Sequence, residues 1–207
     1  MNCDFIAGWY RWFEYLGFGR ALERRRFAFL SEVTDARRIL VLGEGDGRFL
    51  ARLAEQNPQA SIDYVDLSER MLELARGRAG SDRVRYHRAD ARDISLPESG
   101  HDLIVTHFFL DCLNQSDAAA LTQKIATACA PEGRWIVSEF REPAAWARAV
   151  VSFLYMFFRI TTGLRTRALI DHRALLSNQG FVLIREETER FGLLASELWA
   201  FSDNKSR

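Results

Sequence analysis

Residues 39–66 read ILVLGEGDGRFLARLAEQNPQASIDYVD. The apolar run 39–42 has the length of a buried strand, and glycines at the alternate positions 43, 45 and 47 allow a sharp turn in which bare backbone can meet a ligand. Residues 48–56 then carry apolar side chains at helical spacing, and Asn57-Pro58 stops them. Residues 61–66 (SIDYVD) are strand-like again. Strand, glycine turn, helix and strand make a crossover unit whose two strands lie parallel in one sheet.

The rhythm continues beyond this unit. Ser68 is placed to cap a helix in ERMLELARGR, with residues 69–76 as its core, and residues 83–87 form a third strand. Residues 102–106 (DLIVT) are a fourth, residues 118–130 a helix stopped by Pro131 and Gly133, and residues 134–140 (RWIVSEF) a fifth strand. This alternation predicts a doubly wound α/β fold with a mostly parallel sheet. After a helix over 171–179 closed by Gly180, residues 181–187 and 193–201 are two strands around a turn near Gly192. They are too close in sequence for a parallel crossover, so they are expected to form a C-terminal antiparallel hairpin.

The chain has 207 residues, enough for one domain with a buried core. Its 28 basic and 28 acidic residues cancel, which argues against a nucleic-acid partner. Cys3, Cys112 and Cys129 show no CxxC spacing and read as reduced thiols, with Cys112 a packing residue. With no signal-peptide pattern at the N-terminus, the expected location is the cytoplasm. His87, His101 and His172 are scattered without ligand spacing, so no metal is expected.

The glycine loop departs from the dinucleotide fingerprint. Its third glycine follows the second by two positions, residue 48 is Arg, and Glu44 and Asp46 would set carboxylates beside a diphosphate. The loop suits a nucleoside ligand without phosphates, one that can carry a cationic group. Asp66 at the end of the second strand is placed to accept both hydroxyls of a ribose. Asp90, just past the third strand, can accept from an adenine amino group, with the Ala91 N–H available to a ring nitrogen.

With these residues the chain resembles the Rossmann-like (class I) S-adenosylmethionine-dependent methyltransferases of the small-molecule type. ILVLGEGDG is similar to their first motif, YVDLSERMLELAR to the second, RADARDISLP to the third, HDLIVTHFFLD to the fourth strand with its loop, and EGRWIVSEF to the fifth strand. The resemblance implies a seven-stranded sheet and S-adenosylmethionine as cofactor, with S-adenosylhomocysteine as product. It places the cofactor on Gly43, Glu44, Gly45, Asp46, Gly47, Asp66, Leu67, Met71, Asp90, Ala91 and Thr106. One position departs: Val41 stands where the family has an acidic residue that organises the amino-acid end of the cofactor, and Glu44 and Asp46 are the candidates to replace it.

Methyl transfer from a sulfonium asks mainly for alignment and exclusion of water. Where the acceptor must lose a proton, His107, on the loop past the fourth strand, is the candidate base. Asp111 is placed to pair with it or with the substrate, and Tyr10 is a candidate contact from the N-terminal cap. The segment Thr106-His107-Phe108-Phe109 lacks the [ND]PP[YFW] pattern of many amide- and amino-nitrogen methylating enzymes.

Aromatic residues are 12% of the chain and unevenly placed, concentrated in residues 5–29 and 146–158, the two segments expected to cover the acceptor. They point to a hydrophobic or aromatic small-molecule substrate accepting the methyl on O, N or C. The resulting division is a single domain, with a helical cap over 1–35, a cofactor-binding core over 36–140, a lid and helix over 141–179 and the hairpin over 180–207. The apolar stretch 144–160 falls short of a membrane span, but its flanking arginines fit peripheral membrane contact, with a phospholipid or quinone precursor as substrate. Two further readings are an inactive nucleoside-binding partner subunit and an RNA or protein methyltransferase. Whether the chain is a monomer or a homodimer stays open.

Overall fold

The computed structural model describes residues 20–80, 82–96, 100–162 and 169–202, the side chains of 154–155 and 157–162 excepted. Tyr10 and most of the N-terminal cap lie outside the described residues. Five strands, β1 (Arg38–Leu42), β2 (Ser61–Asp66), β3 (Val84–Arg88), β4 (His101–His107) and β5 (Cys129–Phe140), run parallel. The last two, β6 (Phe181–Glu189) and β7 (Leu194–Phe201), pair antiparallel with each other, and β7 also pairs antiparallel with β5. The sheet order is β3-β2-β1-β4-β5-β7-β6, which is the expected doubly wound sheet with its terminal hairpin.

The helices are α1 (Ala21–Arg26), α2 (Arg48–Gln56), α3 (Glu69–Ala79), α4 (Gln115–Ala128), α5 (Ala145–Thr162) and α6 (His172–Asn178). Alternate residues of the central strands face opposite layers. Ile39, Val41, Ile62, Tyr64, Leu103, Val105 and Ile136 pack with Phe49, Leu50 and Leu53 of α2, Leu72 and Ala75 of α3, and Phe29 and Val33 of the entry to β1. Leu40, Leu42, Ile104, Trp135, Val137 and Trp199 pack with Leu121 and Ile125 of α4 and Leu176 of α6. A central parallel strand buried on both faces has to be continuously apolar, and β1 is, from Ile39 to Leu42. A third, smaller cluster joins Ala21 and Leu22 of α1 to Ala147 and Val151 of α5 and to Leu193 and Leu194.

Local chemistry sets the element ends. The Ser68 hydroxyl accepts from the Met71 N–H at 3.2 Å, as the sequence predicts, while Asn114 and Asp171 cap α4 and α6 in the same way. Some boundaries differ. Strand β4 runs on through His107, which the sequence reading puts on the loop beyond it and which instead pairs with Ser138 in the ladder. Helix α4 stops at Ala128, and β5 begins at Cys129 instead of residue 134. Cys129 pairs with His101 and Arg134 with Leu103, so the four residues between Cys129 and Arg134 form an irregularity in the ladder. Gly133 sits there because a Cβ would meet the Cys129 Sγ at 2.5 Å. Pro131 and Gly133 therefore mark a bulge within β5 and not the end of α4.

Candidate functional site

Strand order reverses at β1, which has β2 on one side and β4 on the other, and their carboxyl ends open a crevice at that switch point. The glycine loop fills the mouth of this crevice. Gly43, Gly45 and Gly47 have φ values of 60°, 93° and 80°, which disfavour any side chain. Each has its own steric reason. A Cβ on Gly43 would lie 2.2 Å from the Phe109 ring, and one on Gly47 would lie 2.5 Å from the Ala75 Cα, whereas Gly45 faces open space. The loop is held from below by the Gly43 N–H on the Val65 carbonyl (2.9 Å) and by the buried Tyr64 hydroxyl on the Gly45 carbonyl (2.5 Å).

The two acids of the loop have different surroundings. Asp46 pairs with Arg48 at 3.0 Å and with Arg78 at 2.9 Å. Glu44 is buried; its Oε1 accepts the Phe49 N–H (3.3 Å) at the start of α2, and its Oε2 has no hydrogen-bond partner among the described residues. Burial pushes the Glu44 carboxyl up to about 7, against the opposing pull of the Arg26 guanidinium.

Along the same edge, Asp66 accepts the Ser68 N–H on Oδ1 (2.8 Å), Leu67 is partly exposed, and Met71 is buried on the first turn of α3. Asp90 lies two residues beyond Arg88, which pairs with Asp66 across the ladder. Arg92 grips the Asp90 carboxylate at 2.9 and 2.6 Å and holds it down to about 2. Ala91 is buried beside it. Asp66, Leu67, Asp90 and Ala91 thus share one rim with the glycine loop.

The end of β4 and the residues after it lie on the other side of the loop. Thr106 is fully buried, and its hydroxyl accepts the Trp135 indole N–H at 3.0 Å, within the layer that holds α4. His107 faces the opposite layer, its ring edge-to-face with Phe49 at 4.5 Å and its Nδ1 2.9 Å from the Ser138 Oγ. Burial first, and the nearby Arg26 second, hold the imidazole well below its usual range. Its Nε2 is buried with no partner among the described residues. Asp111 is buried on a short 3₁₀ turn, Leu110–Cys112, beside Glu139.

Residues 39–133 match a family model described as a methyltransferase domain. These residues are similar to a methyltransferase domain. The demethylmenaquinone methyltransferase of Deinococcus radiodurans is 30% identical over 135 residues, covering 64% of this chain and 55% of that protein. A polyamine aminopropyltransferase 2 of Bacillus anthracis is 29% identical over 121 residues, covering 52% of this chain and 34% of that protein. The chain thus spans about half or less of the length of these curated relatives. Among solved structures, the 1,6-didemethyltoxoflavin-N1-methyltransferase of Burkholderia thailandensis, with bound 1,6-didemethyltoxoflavin and S-adenosylhomocysteine, shares the fold. Its TM-score is 0.69 at 17% identity, over 97% of this chain and 86% of that one.

Around the glycine loop and the end of β4, sequence reasoning missed Glu139, Ser138, Ser196 and Arg26. Glu139 had a readable signal, because alternation in β5 puts it on the buried parity of Trp135 and Val137. An acid at a core-facing position needs partners, and only the folded chain shows that these come from the loop after β4. Among the described residues no group of three or more His, Cys, Asp or Glu is arranged to hold a metal ion, and no helix is long and apolar enough to cross a membrane.

Proposed function

We propose that this protein is an S-adenosylmethionine-dependent methyltransferase that moves a methyl group to an O, N or C nucleophile of a hydrophobic or aromatic small molecule. The single observation that carries the reading is the shared rim, in which Gly45 faces open space on the sheet edge that also carries a buried acid, Glu44, and the carboxylates of Asp66 and Asp90. These residues suit the cofactor. The unfilled Oε2 of Glu44 suits an ammonium group, and takes the role for which Val41, fully buried in β1, has no chemistry. Asp46, committed to Arg48 and Arg78, is the weaker candidate. Asp66 suits the ribose. The Ala91 N–H, Leu67 and Met71 suit the adenine, with Asp90 contributing through the carboxylate it shares with Arg92.

When bound, the cofactor supplies an electrophilic methyl on a sulfonium with a neutral leaving group. The chain's own work is to orient, to keep out water and, where needed, to take a proton. His107 is the residue for that last step. In the arrangement where the Ser138 and Ser196 hydroxyls both serve the Arg25 carbonyl (3.2 and 2.5 Å), Ser138 accepts the Nδ1 hydrogen and Nε2 keeps its lone pair. Thr106, turned into the core beneath Trp135, acts by holding the end of β4 in place.

The acceptor's hydrophobic character rests on the aromatic segments and on Phe108, which stacks with Phe140 at 5.2 Å and lies under Arg26. The two curated relatives differ in the group their names say they transfer. The methyltransferase family match over residues 39–133, and a neighbour holding S-adenosylhomocysteine, support methyl for this chain. The neutral charge balance disfavours an RNA substrate. Calorimetry with S-adenosylmethionine and S-adenosylhomocysteine tests the reading. Micromolar binding of both is expected, and no binding at about 1 mM of either would overturn it, together with the inactive-subunit alternative.

A second reading within this function is work at a membrane surface on a quinone or phospholipid precursor. It rests on an exposed apolar face of α5 and the hairpin turn, where Trp146, Phe153 and Met156 are open to solvent and Phe191 is 93% exposed. Sedimentation with anionic and neutral vesicles separates the readings. Binding to neither excludes the membrane version and leaves the methyltransferase.

A further inference from the structure

The loop that follows β4 is anchored by one carboxyl. The N–H groups of Phe109 and Leu110 both donate to the Glu139 Oε1, at 3.1 and 2.8 Å. These are the first N–H groups of the 3₁₀ turn, and no residue of the turn itself can satisfy them. Phe108, just before, has a φ of 52°, a strained value for a bulky residue. The anchor matters beyond the turn because the Phe109 ring occupies the space against Gly43. Glu139 therefore sets one wall of the crevice into which Gly45 opens.

The second oxygen of Glu139 faces Asp111. Both carboxyls are buried, Glu139 at 1% exposure and Asp111 at 5%, their side chains meet, and the Glu139 Oε2 accepts from no donor among the described residues. Two ionised carboxylates are acceptors only, so they can bond each other only while the pair holds one proton. Asp111 also lies by the backbone of Phe140 and Ile170 and faces His172 of α6, which favour its charged form. Among the described residues no cation ranks with burial and Asp111 in acting on Glu139, whose carboxyl these two raise. Among the described residues, the other charged groups of this layer serve one another: His172 and Arg173 bond Glu197 of β7 at 3.1 and 2.7 Å, and Arg173 also reaches Glu186 of β6. The proton is thus held between the two carboxyls as a pair.

We propose that Glu139 and Asp111 form a one-proton carboxyl clasp, and that Glu139 is a positioning residue which, through this clasp, seats Phe109 against the glycine loop and keeps the cofactor crevice in shape. The inference rests on the cofactor reading above for its functional half only. As the pH rises and the pair loses its proton, two buried like charges repel, the turn loosens from the end of β5, and Phe109 leaves its seat. Cofactor affinity and thermal stability should fall together.

The test compares the wild-type protein with Glu139→Gln, Glu139→Leu and Asp111→Asn over about pH 6 to 9, by calorimetry with S-adenosylhomocysteine and by thermal unfolding. An amide at position 139 accepts the two backbone N–H groups, donates a permanent N–H to Asp111 and leaves the pair's net charge at minus one. Glu139→Gln should therefore stay within about threefold of wild type at neutral pH and lose the alkaline decline. Asp111→Asn should lose that decline too, and Glu139→Leu should weaken binding by roughly tenfold or more. If Glu139→Leu does not fold, the two amide variants decide. An alkaline decline in both that matches wild type, or no decline in wild type, overturns the clasp. If wild type binds no cofactor while unfolding temperatures follow the expected pattern, the cofactor reading fails and the clasp stands as a structural device.

Discussion

Asp66 and His107 show how much a single side chain can be asked to do in this site. Asp66 stands at the end of β2 with one oxygen on the Ser68 N–H, so the turn into α3 fixes its direction before any ligand arrives. Replacing it with Ala would leave ribose hydroxyls without their charged acceptor, at a cost of about 2–3 kcal/mol. We expect cofactor affinity to fall about 30- to 150-fold, read by calorimetry; unchanged affinity would place the ribose elsewhere. His107 differs because burial keeps its imidazole neutral and its Nδ1 is tied to Ser138. If it is the base, His107→Ala should cut turnover by roughly a hundredfold or more while cofactor affinity stays within about threefold. Turnover within about threefold of wild type would make it a packing residue against Phe49. Both residues are legible in the sequence, and the structure puts each at the carboxyl end of a strand. Their partners are not, since Ser138 and Ser196 come from strands far along the chain.

At the scale of elements, α2 and α3 are locked together by the absence of a side chain. Gly47 packs against the backbone of Ala75, and its φ of 80° lets the chain turn directly from the loop into α2. Gly47→Ala would impose a strained backbone conformation, and its methyl would collide with backbone that cannot swing aside. Together these effects should cost about 2–4 kcal/mol. Thermal or denaturant unfolding should register that loss, with the cofactor site weakened through the shifted loop; a loss below about 0.5 kcal/mol would mean that the helices can part easily. The spacing of the glycines shows where the turn is. Elements that meet in space decide the rest: Gly47 serves helix packing, Gly43 makes room for Phe109, and Gly45 alone of the three faces outward.

For the whole molecule, the pH dependence of stability should have two limbs with different origins. Burial raises the Asp63 carboxyl, but hydrogen bonds from His101, Arg85 and His87 more than reverse this, and Asp90 is held at about 2 by Arg92. Groups with depressed values in the folded state add stability that is complete above about pH 4 and lost as the pH falls through their folded values. Glu44 and Glu139 have raised values, so their contribution is complete below about pH 4.5 and lost as the pH rises, for Glu44 around 7. Unfolding temperature against pH should therefore form a dome, with Asp63→Asn flattening its acid side and Glu44→Gln its alkaline side. A wild-type curve level on the acid side would show that the Asp63 cluster adds nothing. The sequence by itself determined the parallel sheet, the terminal hairpin, the glycine loop and the carboxylates on its rim, because period, caps and turn residues act over a few neighbours. Only the tertiary structure decided which acid of the loop is left with an unfilled oxygen, where the Thr106 hydroxyl goes and that Glu139 meets Asp111. Those outcomes depend on burial and on partners drawn from distant strands, and no local pattern encodes them.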